Sequence, residues 1–248
     1  NSHRRRYPIR ARLMSYRYVG SELELFSTAD NWKSYISRRL APFICGRVLE
    51  VGAGIGSNIH YLYNDAVEEW TSVEPDPHLA EQISQRISSG DLPKTCSVML
   101  GTVEGLAPTA RFDTILYIDV LEHIADDSGE LARAARHLAP GGNLIVLAPA
   151  HPFLFSRFDA AVGHFRRYSR ACLVALAPPS CRLQTALMLD SAGFFASLAN
   201  RLLLSAAEPS RAQIAFWDKI LVPISRVIDG ITGHRFGKSV VTVWQRSA

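Results

Sequence analysis

The feature that most constrains this chain is the stretch RVLEVGAGIGSNIHYL, Arg47 to Leu62. Gly52, Gly54 and Gly56 alternate directly after a short apolar run. A bend that brings backbone against a ligand must lack β-carbons, and glycine supplies it. The run before the bend reads as a strand. The residues after it, SNIHYLYN, read as a helix with Ser57 placed to cap it. Strand, glycine turn and helix together open a nucleotide-binding α/β unit.

The turn is not the dinucleotide fingerprint. That pattern, G-x-G-x-x-G/A, has its third small residue one place beyond Gly56, where this chain carries Ser57. Glu50, ahead of the glycines, would repel a pyrophosphate and suits a cofactor with an ammonium or sulfonium charge. A nicotinamide dehydrogenase is therefore the weaker reading of the turn.

Beyond the turn, apolar runs and helical patterns alternate. WTSVEP, CSVML, FDTILYIDV and NLIVLAP are strand-like. PHLAEQISQRISS is helical, with Pro77 at its start, and SGELARAARHL is a helix ended by APGG. Alternation of this kind predicts a doubly wound, Rossmann-like, mostly parallel sheet with helices on both faces. Seven strands are expected, the last antiparallel. LQTALML and SVVTVWQ are the final pair, separated by a helical insert over residues 191–238. One insert helix carries Phe194, Phe195, Leu198, Leu202 and Leu203. The other carries Trp217, Ile220, Leu221, Ile224, Val227, Ile228 and Ile231, with Pro223 as a kink. The insert can be a lid over a greasy acceptor, a dimer or membrane contact, or an extension of the core.

Taken together, the glycine turn, Glu74 ending the second strand, GTVEGL after the third and FDTILYIDVLEHI in the fourth resemble class I S-adenosylmethionine-dependent methyltransferases. The resemblance covers roughly Val48 to Pro149. It implies that Glu50, Gly52, Ala53 and Gly54 line the methionine end of the cofactor. It implies that Glu74 binds the ribose hydroxyls, with Pro75 and Asp76 beside the adenine. Thr102 and Val103 would flank the adenine ring, with Glu104 nearby. Asp119 and Val120 would sit beside the methionine moiety, with His123 facing the pocket. Capping of the following segment is the alternative for Asp119 and Glu122. The resemblance further implies that residues 1–45, an arm and helix containing Tyr16, Tyr18, Trp32 and Tyr35, cover the cofactor site. Residues 46–248 would then form the methyltransferase domain with its insert.

A second constellation is APAHPFLFSRFDAAVGHFRRYSR, Ala148 to Arg170. It follows the fifth strand and so lies at the carboxyl edge of the sheet, where open α/β folds bind ligands. Its D-x-x-x-G-H-x-R-R-Y segment, Asp159 to Tyr168, is similar to a bacterial branch of class I methyltransferases that accompany glycosyltransferases acting on lipid carriers. A hydroxyl or amine acceptor must lose a proton, and a neutral histidine accepts one near pH 7. His164 is the first candidate base and His151 the second. Arg166 and Asp159 are further catalytic candidates, and Arg167 and Tyr168 are candidates for binding the acceptor. Arginines beside His164 would keep it neutral, or clamp a carboxylate or phosphate. Asp159 can equally brace the loop by pairing with an arginine. Two arginines ahead of a helix starting at Ser169 oppose the helix dipole, and an anion there would relieve them. No metal ligand set is expected.

The charge is unevenly placed. The formal net charge is +4, but Arg4, Arg5, Arg6, Arg10, Arg12 and Arg17 all precede the first acid, Glu22. Without them 21 basic residues face 23 acidic ones. Such an arm can be a solvated tail or can meet an anionic membrane or nucleic acid. Cys45, Cys96, Cys172 and Cys181 have no C-x-x-C pair and read as buried thiols in a reducing compartment. With no bilayer-spanning apolar run and no signal-peptide pattern, the expected location is cytoplasmic, with or without contact to the inner face of the membrane. The expected activity is oxygen methylation of a small-molecule, glycan or lipid-linked acceptor. RNA methylation rests only on the basic arm, and the aromatic-proline signatures of nucleic-acid amine methylases are missing. A non-catalytic S-adenosylmethionine-binding regulator of a glycosyltransferase is the third alternative. The oligomeric state is open.

Overall fold

The computed structural model describes residues 17–18, 22–199 and 209–247. Helices α1 (Glu22–Ser27) and α2 (Asp30–Leu40) lead into an alternating core. The core runs β1 (Gly46–Val51), α3 (Ile59–Leu62), β2 (Val67–Glu74), α4 (Pro77–Ser89), β3 (Cys96–Leu100), β4 (Phe112–Ile118), α5 (Asp127–Arg136) and β5 (Leu138–Pro149). Two short helices, α6 (Arg157–Ala161) and α7 (Arg170–Val174), precede β6 (Cys181–Leu189). Helices α8 (Ser191–Ala199), α9 (Arg211–Phe216) and α10 (Val222–Thr232) precede β7 (Ser239–Arg246).

The seven strands lie in the order β3-β2-β1-β4-β5-β7-β6. β7 is antiparallel to both β5 and β6. This is the Rossmann-like sheet expected above, with the helical insert between its last two strands. The central strands read as continuous apolar runs because both of their faces are covered. One core holds Trp32, Ile36, Trp70, Ile83 and Val243, and the other holds Leu49, Tyr117, Leu131, Leu144 and Trp244. Strand order reverses between β1 and β4, which are neighbours. The crevice beyond their carboxyl ends is where such sheets bind ligands.

Several local expectations change. Ser57 caps nothing: α3 is a single turn preceded by Asn58, which makes no side-chain cap bond. The amide of Asn58 is spent on Glu50 instead. Pro77 does open α4, with Asp76 as its cap and left-handed Gly90 at its end. APGG does not end α5, which stops at Arg136; it lies within β5. Pro223 falls inside one continuous helical run over residues 211–232, directly after a π-helical turn at Trp217–Leu221. Leu202 and Leu203 lie outside the described residues. Cys96 and Cys181 are buried, but Cys45 and Cys172 are exposed, and all four are free. No helix among the described residues is long and apolar enough to cross a membrane.

Three buried acids attach the insert to the sheet. Asp190, just past β6, accepts hydrogen bonds from Gly193 N, the Ser225 hydroxyl and Trp217 Nε1 at 3.0, 2.7 and 2.7 Å. Asp229 accepts from the backbone N–H groups of Asp190 and Ser191 and from the Tyr35 hydroxyl, at 2.8, 3.1 and 2.8 Å. Asp218 accepts from Trp32 N at 2.9 Å. Asp229→Ala orphans three buried donors, so stability should fall by about 3 kcal/mol. Urea unfolding followed by circular dichroism measures this, and a loss within the error of the midpoint would remove Asp229 from the anchor.

Candidate active site

The crevice is a cavity of about 1350 Å³. Its floor is the glycine turn. Gly52 has φ +67, and a β-carbon there would meet the Val120 side chain at 2.8 Å, so the turn after β1 and the turn after β4 touch. Gly54 N–H donates to Glu74 Oε2 at 2.7 Å, and Asp76 N–H donates to Glu74 Oε1 at 2.9 Å. One carboxylate thus ties the end of β2 to the glycine turn. Burial pushes Glu74 up to about 7 despite these bonds. Gly52, Ala53, Gly54, Pro75, Thr102, Asp119, Val120 and His123 all line the cavity, as does Glu104. Val103 does not; it is buried behind Thr102 at the start of a 3₁₀ turn.

Glu50 also stands behind the wall. It is buried, and accepts from Asn58 Nδ2 at 3.0 Å and from Trp70 Nε1 at 3.3 Å. Desolvation pushes it up to about 7, and Lys33 draws it back. Lys33 lines the cavity on α2. Its ammonium is buried without a hydrogen-bond partner, and burial lowers it to about 8. Of the four N-terminal aromatics, Tyr18 and Trp32 line the cavity. Tyr35 is spent on Asp229, and Tyr16 lies outside the described residues.

The loop after β5 forms the opposite wall. It returns beside β5 through an Ala150–Tyr168 bridge and crosses to the β4 turn, where Phe165 N–H donates to the Glu122 carbonyl. Asp159 is its hub. Its carboxylate accepts from the Ser156 hydroxyl at 2.7 Å and from Arg167 Nε and Nη2 at 2.8 and 3.0 Å. Oδ1 also lies 2.9 Å from His164 Nδ1. Burial alone would raise Asp159, but the His164 and Arg167 bonds hold it well below the usual carboxylate range. The other ring nitrogen, His164 Nε2, is 3.9 Å from Glu122 Oε1. His164 and His123 meet edge to face at 4.6 Å.

The arginines and tyrosine of this loop take other posts than the sequence suggested. Arg166 pairs with Asp127 and donates to the Ala125 carbonyl. Tyr168 is buried and its hydroxyl donates to Asp127 at 2.9 Å and to the Leu121 carbonyl at 3.2 Å. Neither lines the cavity. The anions that relieve the arginine pair are therefore Asp127 and Asp159, both side chains of the protein itself. His151 is also off the cavity: its Nε2 contacts the Gly237 carbonyl at 2.8 Å and its ring packs on Phe153 and Phe194. Arg167 does reach the cavity, and its Nη1 is buried without a partner.

Three cavity-lining groups were not singled out as site residues from the sequence. Lys33 is one. Glu122 is another: it caps nothing, is fully buried, and neither carboxylate oxygen has a hydrogen-bond partner. Burial, followed by repulsion from Asp119, raises it well above the usual carboxylate range. Lys238, at the mouth of β7, lies 4.4 Å from the Trp217 ring. The D-V-L-E-H run is the one signal that pointed toward Glu122. Ligand atoms of Glu122, His123 and His164 lie within 4.8 Å of one another, a spacing that can hold a metal ion and that no sequence pattern announced. Asp119, with φ +53 on a non-glycine residue, is held in a strained conformation of the kind found at ligand sites.

Comparison with known proteins agrees with this geometry. A demethylmenaquinone methyltransferase from Tropheryma whipplei is 29% identical over 157 residues, 59% of this chain and 58% of the relative. This chain thus matches little more than half the length of that relative. In fold, it is similar to the [4+2]-cyclase SpnF, with a TM-score of 0.62 at 15% identity over 95% of this chain and 86% of that one. It is also similar to the N-methyltransferase NodS from Bradyrhizobium japonicum WM9, solved with S-adenosylhomocysteine, with a TM-score of 0.57 at 13% identity over 96% of each chain. The family model described as a methyltransferase domain matches residues 17–177, more than half of the chain, so the chain belongs to the methyltransferase-domain family, whose cofactor is S-adenosylmethionine.

Proposed function

We propose that this protein methylates a hydroxyl of an apolar small-molecule or lipid-linked acceptor. The observation that carries the reading is the pairing of His164 with the deeply buried Asp159, with the second imidazole nitrogen turned toward Glu122 on the cavity wall. The residues present suit the cofactor. Lys33, an orphaned buried ammonium near Glu50, would meet its carboxylate, and Glu50 would balance its ammonium through the wall. Glu74 would accept from the ribose hydroxyls, and Gly52 and Gly54 would let the backbone approach closely. When bound, S-adenosylmethionine supplies a methyl group already activated by its sulfonium.

The protein's task is then to align the acceptor, exclude water and take one proton. His164 Nε2 receives the acceptor's hydroxyl proton as the oxygen gains the methyl group. Asp159 fixes the ring through Nδ1 and stabilises the imidazolium that forms. Arg167 and Ser156 keep Asp159 ionised for that purpose. The unpartnered Arg167 Nη1 is placed to meet an acceptor oxygen. The cavity exceeds the usual single-ligand range of about 300–1,000 Å³, leaving room for an acceptor beside the cofactor. The name of the Tropheryma whipplei relative gives a quinone as acceptor, which supports an apolar ring compound here.

His164→Gln should lower turnover about 100-fold while leaving S-adenosylhomocysteine affinity unchanged. Transfer of labelled methyl to hydroquinones and phenols, with carboxylic acids and amines for comparison, measures this. Normal turnover in the variant would refute the base. A separate expectation concerns pH. Glu50 and Glu74 are both raised to about 7, so both are largely protonated below that pH. Lys33, lowered to about 8, stays mostly charged up to pH 7, and a ligand bearing an ammonium favours the ionised carboxylates, so S-adenosylhomocysteine should bind several-fold more tightly at pH 7 than at pH 5.5. Calorimetry across that range tests it. Affinity flat with pH, or falling as pH rises, would mean that neither carboxylate answers the ligand's charge.

A further inference from the structure

The insert carries a surface that the proposed chemistry does not use. Phe216, Ile220, Ile224, Val227, Ile228 and Ile231 are between 37% and 82% exposed. They recur at intervals of three and four along α9, the π-helical turn and α10, so they form one continuous outward stripe. A contiguous exposed apolar patch of this kind marks an interaction surface.

The charges beside the stripe select its partner. Asp218 and Asp229, the only acids between residues 209 and 238, are both buried. Arg211 and Lys219 are exposed, and Arg226 is partly so. Lys219 and Arg226, seven residues apart, share one flank of the stripe. Within the insert, an exposed apolar stripe flanked by cations with no exposed acid is the pattern of a helix lying in a membrane interface. A two-fold contact between copies of this chain would bring no exposed acid from this face to pair with those cations. The stripe also begins at the cavity, since Phe216 both lines the cavity and faces solvent.

We infer that the Phe216–Ile231 stripe is a docking face for an anionic lipid bilayer, set so that the cavity opens at the membrane surface. The inference stands on the surface alone and does not depend on which reaction the cavity carries out.

The test uses the full chain and sedimentation with phosphatidylcholine vesicles, with and without phosphatidylglycerol. The unaltered protein should bind the anionic vesicles and bind the neutral ones more weakly. Ile224→Ser, Val227→Ser and Ile231→Ser combined should weaken anionic-vesicle binding at least about tenfold, since each buried aliphatic side chain contributes more than a kcal/mol. Lys219→Glu with Arg226→Glu should cut the preference for anionic over neutral vesicles about tenfold. Both variants keep the arginine-rich arm. Unchanged binding in the serine variant would therefore assign any membrane contact to the arm and overturn the inference. So would a dimer in light scattering that the same serines dissociate, or no binding by the unaltered protein. Thermal unfolding by circular dichroism, which needs no cofactor, confirms that the variants are folded. S-adenosylhomocysteine binding, measured separately, shows whether the cavity reading holds whatever the vesicles report.

Discussion

Burying a carboxylate costs several kcal/mol unless donors replace the water it leaves, and this chain buries at least eight. How each is compensated sorts structure from function. Asp159, Asp190, Asp218 and Asp229 are surrounded by donors, and each joins segments that would otherwise part. Glu50 and Glu122 are under-compensated, and burial raises both. Both stand at the crevice between β1 and β4, Glu50 behind its wall and Glu122 on it. Lys33, a buried ammonium on the same cavity that lies over the Tyr61 ring but has no hydrogen-bond acceptor, is the matching deficit of opposite sign. In the proposed function, a ligand that carries a carboxylate and an ammonium together would answer both deficits.

Glu74 shows the two roles meeting in one side chain. It has donors from Gly54 and Asp76, enough to fix the turn, yet it stays raised to about 7. Its two bonds set the shape of the glycine turn. In the proposed function, the ribose hydroxyls would donate to the same oxygens. The second wall works by the same logic. Asp159 is over-supplied with donors, so it stays ionised, and that charge orients His164.

The parts legible in the sequence were those set by local chemistry. Strand–turn–helix alternation, the acid ending β2 and the glycine bend need only neighbours along the chain, and they placed the sheet and most of the cavity floor. What was not legible depended on contacts between distant segments. Arg166 looked available to a substrate because its partner, Asp127, meets it only when the loop folds onto the β4 turn, whereas the Asp159–Arg167 pair is the loop brace that the sequence also offered. Tyr168 and His151 looked exposed to a ligand because nothing local says that Asp127 and the Gly237 carbonyl will occupy them. Lys33 carries no motif at all; only the packing of α2 against the β1 turn strips water from its ammonium. Glu50 was read as a wall residue because it precedes the glycines. Strand alternation turns it to the face where Trp70 and Asn58 wait.

The insert follows from the same rule as the interior. Its periodicity announced two amphipathic helices, and it left open which apolar residues face inward. Three acids decide that. Asp190 takes Trp217 Nε1, Asp218 takes Trp32 N and Asp229 takes Tyr35, so the π-helical turn and α10 are held against the end of β6 and against α2. Because Asp218 and Asp229 are turned inward, the opposite side carries apolar and cationic residues and no acid. The outward face of the insert is thus a consequence of how its buried charges are satisfied. A substitution that freed Asp229 from its donors would loosen the fold and put an acid beside the stripe, changing interior and surface together.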